Sequence, residues 1–141
     1  MASYKNIISW VDKWEGGTVY FASEGQLTNR GIQFNTFKLL APSLLGIKNP
    51  TENDLRNITQ TQWLKFIKYF WNVATFNNSI KDQNAANVMF QAFWGSGRSG
   101  IKEMQRTLGV TADGVVGMQT INAINSDKNA GKKLYNALIS Y

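Results

Sequence analysis

Thr59-Gln60-Thr61-Gln62-Trp63-Leu64-Lys65-Phe66-Ile67-Lys68-Tyr69-Phe70-Trp71 is the stretch that decides the fold class. Thr59 stands three residues before Gln62, a capping-box signature in which each side chain satisfies the other's free backbone N–H at a helix start. Trp63, Phe66, Ile67, Phe70 and Trp71 then fall at i, i+3, i+4, i+7 and i+8, which sets five large apolar side chains on one helical face. A face that wide is stable in water only when other elements cover it. The reading therefore predicts a helix at the centre of a packed core.

Downstream the same period recurs. Ala85, Val88, Met89, Ala92 and Phe93 mark a second helix of small and medium side chains that runs into Gly95-Ser96-Gly97. Helices are predicted over 99–108, 118–125 and 129–140, separated by Gly109 and the Asp113-Gly114 turn. Upstream, Phe34, Phe37, Leu40 and Leu44 predict a helix over 34–45, which Pro42 is expected to bend or divide, and Gly46 and Pro50 bound a loop. Ile7, Val11 and Trp14 predict a first long helix over 4–14, ended by Gly16-Gly17. Thr, Val, Tyr and Phe around Ser23-Glu24-Gly25 give the one good strand region, 18–33, read as a short irregular hairpin or loop. The expected fold is mainly α with a small β-hairpin or loop after the first long helix. A single domain over 1–141 is expected. Segment 99–125 packs into its core, because Ile101, Met104, Leu108, Val115, Val116 and Ile121 are too few for an independent one.

Composition narrows the chemistry. The 141 residues are 43% hydrophobic and 13% aromatic, enough large groups for one well-packed globule. There is no Cys and no His, which removes disulfide frameworks, the usual zinc sites, Ser/His and Cys/His nucleophiles and imidazole proton transfer. No metal and no cofactor is expected. An enzyme of this composition would move protons through its nine carboxylates, and carboxylate chemistry without a metal points first to glycosidic bonds. The net charge of +6 calls for an anionic partner surface. Nucleic acid is disfavoured, because the basic residues are scattered and Lys132-Lys133 is their densest pair. No basic stretch followed by an apolar one opens the chain, and no apolar run approaches the ~20 residues of a membrane span. A monomer without an integral membrane segment, made in the cytoplasm without a signal peptide, is expected.

Glu15, at the C-terminal edge of the first predicted helix, is the candidate proton donor. The negative end of the helix dipole and the neighbouring Trp14 both disfavour its charged form, so its pKa should be raised. A glutamic acid still protonated near neutrality is what donates to a departing sugar oxygen. Glu24 is the nearest other acid and could activate water or stabilise positive charge, although Ser-Glu-Gly is also ordinary turn composition. Thr28 and Asn29 have short polar side chains that either hydrogen-bond sugar or cap the loop. Tyr20 and Trp94 could stack on sugar rings, with core packing the commoner fate of a Trp on an apolar stripe. Gly31 reads as a backbone position and Asp113 as a turn residue.

Several stretches in register also resemble one family. Trp14-Glu15-Gly16-Gly17 resembles the Glu-Gly-Gly motif of the phage and bacterial N-acetylmuramidases of glycoside hydrolase family 108, and Thr28-Asn29-Arg30-Gly31-Ile32 is similar to the family's Thr-Asn-x-Gly-Ile stretch. Phe70-Trp71-Asn72, Ala86-Asn87-Val88-Met89-Phe90 and Gly95-Ser96-Gly97 are similar to its central region. The run from Met104 to Gly117, with Thr120, resembles its closing peptidoglycan-binding-like segment. The resemblance implies a lysozyme-like fold and an endolysin-type muramidase that cleaves the β-1,4 bond between N-acetylmuramic acid and N-acetylglucosamine. Glu15 would be catalytic, peptidoglycan glycan strands the partner, and the cell wall or periplasm in a phage or prophage context the place of action. Two other functions stay open at this point: a non-catalytic peptidoglycan-binding protein, and a lytic transglycosylase on the same fold.

Overall fold

A computed structural model describes residues 2–5, 18–21 and 26–141. The predicted first helix and both candidate acids, Glu15 and Glu24, lie outside the described residues. The described part is mainly helical with a small antiparallel sheet. By their internal contacts, residues 5–67 form one compact unit, and residues 1–4 with 68–141 form another.

In the 5–67 unit, the sheet is a three-stranded meander in the order β1 (Thr18–Phe21), β2 (Gln26–Asn29), β3 (Ile32–Gln33). The predicted hairpin thus gains a third strand. Arg30 and Gly31 connect β2 to β3 at φ 50 and 82, the two positive values of a type I′ turn, and Asn29 pairs directly with Ile32 across it. That is the backbone task of Gly31. Helix α1 (Phe34–Leu45) follows without a gap and runs undivided through Pro42. A proline costs a helix one hydrogen bond and a clash one turn back. Here it sits in the last turn, which Gly46 closes at φ 72 by donating its N–H to the Ala41 carbonyl.

After the loop that Gly46 and Pro50 bound comes a helix the sequence reading did not include, α2 (Glu52–Arg56). It starts on a reciprocal cap: Asp54 N–H donates to Thr51 Oγ1 at 3.2 Å, and Thr51 N–H to Asp54 Oδ2 at 2.9 Å. Helix α3 (Gln60–Thr75) opens on the cap read from the sequence, with Gln62 N–H to Thr59 Oγ1 at 3.1 Å and Thr59 N–H to Gln62 Oε1 at 3.0 Å. Trp63, Phe66 and Ile67 are fully buried with Leu27, Ile32, Phe37, Ala41 and Leu55. Phe37 stacks on Phe66 with centroids 5.7 Å apart. Burying each such ring is worth ~1.5–3 kcal/mol, which is why this amphipathic face organises the unit.

In the other unit, α4 (Gln83–Leu108), α5 (Met118–Ser126) and α6 (Ala130–Ser140) surround a second core. Asp82 caps α4 by accepting from Ala85 N–H at 2.9 Å. The helix breaks at Gly97, φ 59 and ψ −143, a conformation open only to glycine, where the sequence placed Gly95-Ser96-Gly97. Beyond the break the chain returns so tightly that a Cβ on Gly100 would sit 2.1 Å from the Ala92 carbonyl oxygen. The core joins Trp71, Ala85, Met89 and Phe90 to Ile101, Met104, Ile121, Ile124 and Leu134. Near the chain start, Ser3 exchanges hydrogen bonds with Gln83 through its own N–H and carbonyl, at 2.8 and 3.0 Å.

Candidate functional site

The Thr28-Asn29-Arg30-Gly31-Ile32 stretch forms the β2–β3 hairpin, and each of its polar residues has a distinct task. Successive strand residues point to opposite faces, so Thr28 and Asn29 cannot serve one ligand from the same side. Asn29 shares its face with buried Leu27 and is itself 5% exposed. Its Nδ2 donates to the Leu55 carbonyl at 3.0 Å and the Arg56 carbonyl at 3.3 Å, at the end of α2. The Leu55 carbonyl also accepts from Ile58 N–H at 3.2 Å, so the asparagine adds a second donor there and ties the sheet to a helix end. On the opposite face, the enclosed Thr28 hydroxyl makes no hydrogen bond among the described residues. A buried hydroxyl without a partner costs ~1–3 kcal/mol, so among the described residues Thr28, not Asn29, is the one with a hydrogen bond still to make.

Arg30 completes the hairpin. Its guanidinium lies 4.1 Å from the centroid of the Trp63 ring, and Trp63 Nε1 donates to the Arg30 carbonyl at 3.1 Å. The cation–π contact contributes ~0.5–1 kcal/mol at a partly exposed site and holds the turn against α3. Tyr20 is described by its backbone, paired with Leu27, while Thr18 pairs with Asn29 and Val19 with Thr28. The ladder thus brings the strand that directly follows Gly16-Gly17 alongside the Thr-Asn strand.

The run from Met104 to Thr120 is organised by one residue, which the sequence reading did not single out. Gln105 is fully buried, and its Nε2 lies 3.1 Å from Asp113 Oδ1, 3.0 Å from the Val115 carbonyl and 3.2 Å from Thr120 Oγ1. Its Oε1 accepts from Gly114 N–H at 2.9 Å. Asp113 Oδ1 also accepts from Val115 N–H at 3.0 Å. That bond and the one from Gln105 hold the Asp113 carboxyl below the ordinary aspartate value. Asp113 is therefore the turn residue the sequence suggested. The signal for Gln105 was a polar residue on the buried side of a helix eight positions before an Asp-Gly turn.

Trp94 is half-buried, with Phe90 stacked on it at 5.6 Å and Phe70 edge-on at 5.0 Å. The chain leaves α3 through Phe76, Asn77 and Asn78 at φ 51, 55 and 64, three consecutive left-handed residues. Asparagine tolerates this; phenylalanine does so at about 1–2 kcal/mol. Buried Thr75 over-determines the turn, donating to the Trp71 carbonyl at 2.7 Å and accepting from Asn78 N–H at 2.9 Å. Trp71 Nε1 reaches Asn78 Oδ1 at 3.2 Å. The turn holds Phe76 36% exposed at the rim of a cavity of about 580 Å³, whose other walls include Tyr69, Asn72, Phe93, Arg98 and Val115.

Among the described residues no cluster of three or more acidic side chains could hold a metal ion, and no helix is long and apolar enough to cross a membrane. No family model matches the chain, and no curated protein sequence matches it. Among solved structures, SagA of Brucella abortus is similar, with a TM-score of 0.75 and 20% identity over 97% of this chain and 78% of that one. The mainly helical chain with its small antiparallel sheet has the fold of Brucella abortus SagA.

Proposed function

We propose that this protein is a peptidoglycan N-acetylmuramidase that cleaves the β-1,4 bond between N-acetylmuramic acid and N-acetylglucosamine, with Glu15 as the general acid. The observation that carries the reading is the pairing of β1 with β2. Thr18, three peptide links after Glu15, lies opposite Asn29, and three residues of chain reach at most ~10 Å. The strand that follows the Glu-Gly-Gly motif in sequence thus runs beside the Thr-Asn strand, which supports the reading. The absence of His and Cys leaves carboxylates to move the proton.

In this reading the Glu15 carboxyl donates its proton to the glycosidic oxygen as the C1–O bond breaks and positive charge develops on the ring. Water then adds at C1 and releases a proton to the solvent, from which the Glu15 carboxylate is reprotonated, leaving a reducing end. Thr28 offers its hydroxyl to sugar or to that water, while Asn29 keeps the strand in place.

The test is clearance of a purified peptidoglycan suspension by wild type and by Glu15→Gln, with products analysed by mass. Glutamine keeps the shape but has no acidic proton, so a loss of ~10²–10⁴-fold is expected, with reducing ends as the wild-type product. Equal clearance by both proteins would defeat the assignment. Anhydro ends from wild type would make the reaction a transglycosylation instead.

A further inference from the structure

The cavity beside the left-handed turn lies wholly within the unit formed by residues 1–4 and 68–141 and contains none of the residues assigned above to glycan cleavage. Its chemistry is specific. Phe76, Val73 and Val115, exposed at 36%, 37% and 57%, group their apolar surface around this one opening. Asn72 and Asn77 add two carboxamides, each able to donate and accept, which suits a peptide backbone. Arg98 is the sole charged residue in the lining.

That arginine is held in position. Its Nη2 donates to the Asp113 carbonyl at 3.1 Å, and its side chain lies so close to the Asp113-Gly114 turn that a Cβ on Gly114 would meet Nε at 3.2 Å. The bond to Asp113 uses one edge of the guanidinium, and the five N–H donors of that group allow a carboxylate to be taken by another. Asp113 acts on Arg98 through charge, but its Oδ1 is turned to Gln105 and Val115 N–H rather than bonded to the guanidinium. The site thus offers small apolar surface, two amides and one cation, which complements a short peptide with small apolar side chains and a free carboxylate.

We infer that this cavity, walled by the end of α3, the second half of α4 and the Asp113–Val115 turn, binds the peptide stem of peptidoglycan through its terminal carboxylate. Alanyl methyl groups pack on Phe76, Val73 and Val115, the carboxamides pair with the stem's peptide groups, and Arg98 takes the carboxylate. This rests on the peptidoglycan reading above and deepens it. The glycan is cut elsewhere, while the stem attached to it is held here.

The probe is diacetyl-Lys-D-Ala-D-Ala, whose one charge is its terminal carboxylate, titrated by calorimetry into the full chain beside its C-terminal amide. Saturable 1:1 binding of the acid is expected. The amide should bind about two- to fivefold more weakly, the upper range of one solvent-accessible ion pair. Arg98→Gln should remove the difference between acid and amide. Val115→Glu, at an exposed position where folding is undisturbed, should weaken the acid more than the amide; circular dichroism melts confirm that both variants are folded. No binding, equal binding of acid and amide, or an unchanged preference in Arg98→Gln overturns the inference. Clearance of walls by a protein that ignores the peptide would sink this site and leave the muramidase reading standing. Peptide binding by a protein that leaves walls intact would uphold the site and remove the muramidase.

Discussion

Replacing Gln105 by Met would measure how far one buried amide holds the C-terminal segment together. Methionine matches its length and fills its space but offers no donor and only a weak sulfur acceptor. Three groups lose their partner: the Gly114 N–H, the Val115 carbonyl and the Thr120 hydroxyl. Asp113 Oδ1 keeps its bond from Val115 N–H. At ~1 kcal/mol for each broken bond, more where the stranded group stays dry, the loss is about 3 kcal/mol after the apolar gain of the thioether. With an unfolding entropy of ~2.1 cal/mol/K per residue over the chain, that lowers Tm by ~10 °C. Thermal melts by circular dichroism read this directly. Thr120→Val gives an internal check: alone it should cost ~1 kcal/mol, and in the Gln105→Met background almost nothing, because the bond it breaks is already gone. A Gln105→Met protein melting within ~3 °C of wild type, or fully additive losses in the double variant, would show that the hydrogen bonds around Gln105 are not what fixes the segment.

Gly100→Ala should destabilise more than an ordinary helix substitution, since its Cβ would meet the Ala92 backbone carbonyl at 2.1 Å; a wild-type melt would mean the close return after Gly97 relaxes freely. Asn29→Ala removes the side-chain donor to the Leu55 and Arg56 carbonyls, of which Leu55 keeps Ile58 N–H, and should cost ~1 kcal/mol in urea unfolding. Lost wall clearance with unchanged stability would make Asn29 a sugar contact instead. Asp113 and Asp127 both have lowered pKa values, the first chiefly from the Val115 N–H, the second chiefly from the Lys133 ammonium. A depressed folded-state value means stability that is present above the unfolded aspartate range and is lost as pH falls through the folded value. Tm should therefore decline below about pH 4, less steeply in Asp113→Asn, and an identical acid limb in that variant would refute the assignment.

Much of the helical framework is written locally, and the reasons are visible in particular residues. The Thr59/Gln62 cap and the stripe from Trp63 to Trp71 involve residues no more than four apart at each step, so α3 is legible without knowing what covers it. Thr51 and Asp54 carry the same kind of cap in one side-chain pair, and α2 was legible to that extent, although its five residues give no periodicity. Pro42 shows the opposite limit. Its local effect is unfavourable to a helix, and whether the helix nevertheless continues depends on the closing Gly46 cap and on burial of Phe37 and Ala41.

The amino-acid sequence alone therefore settles what depends on near neighbours: the mainly α class, the order of α3 to α6, the break at Gly97 and the turn character of Gly31 and Asp113. It also settles which chemistries lack the residues to run, since His and Cys are absent. Only the tertiary structure decides the rest. It turns Asn29 toward the Leu55 carbonyl, leaves the Thr28 hydroxyl without a hydrogen bond among the described residues, makes Gln105 the partner of a turn and a threonine up to fifteen residues away, and assembles one cavity from Phe76, Arg98 and Val115. A polar side chain reads the same in sequence whether it meets water, a backbone carbonyl or a ligand. Its partner is chosen by chain segments brought together through burial, and that information is carried by no single stretch of the chain.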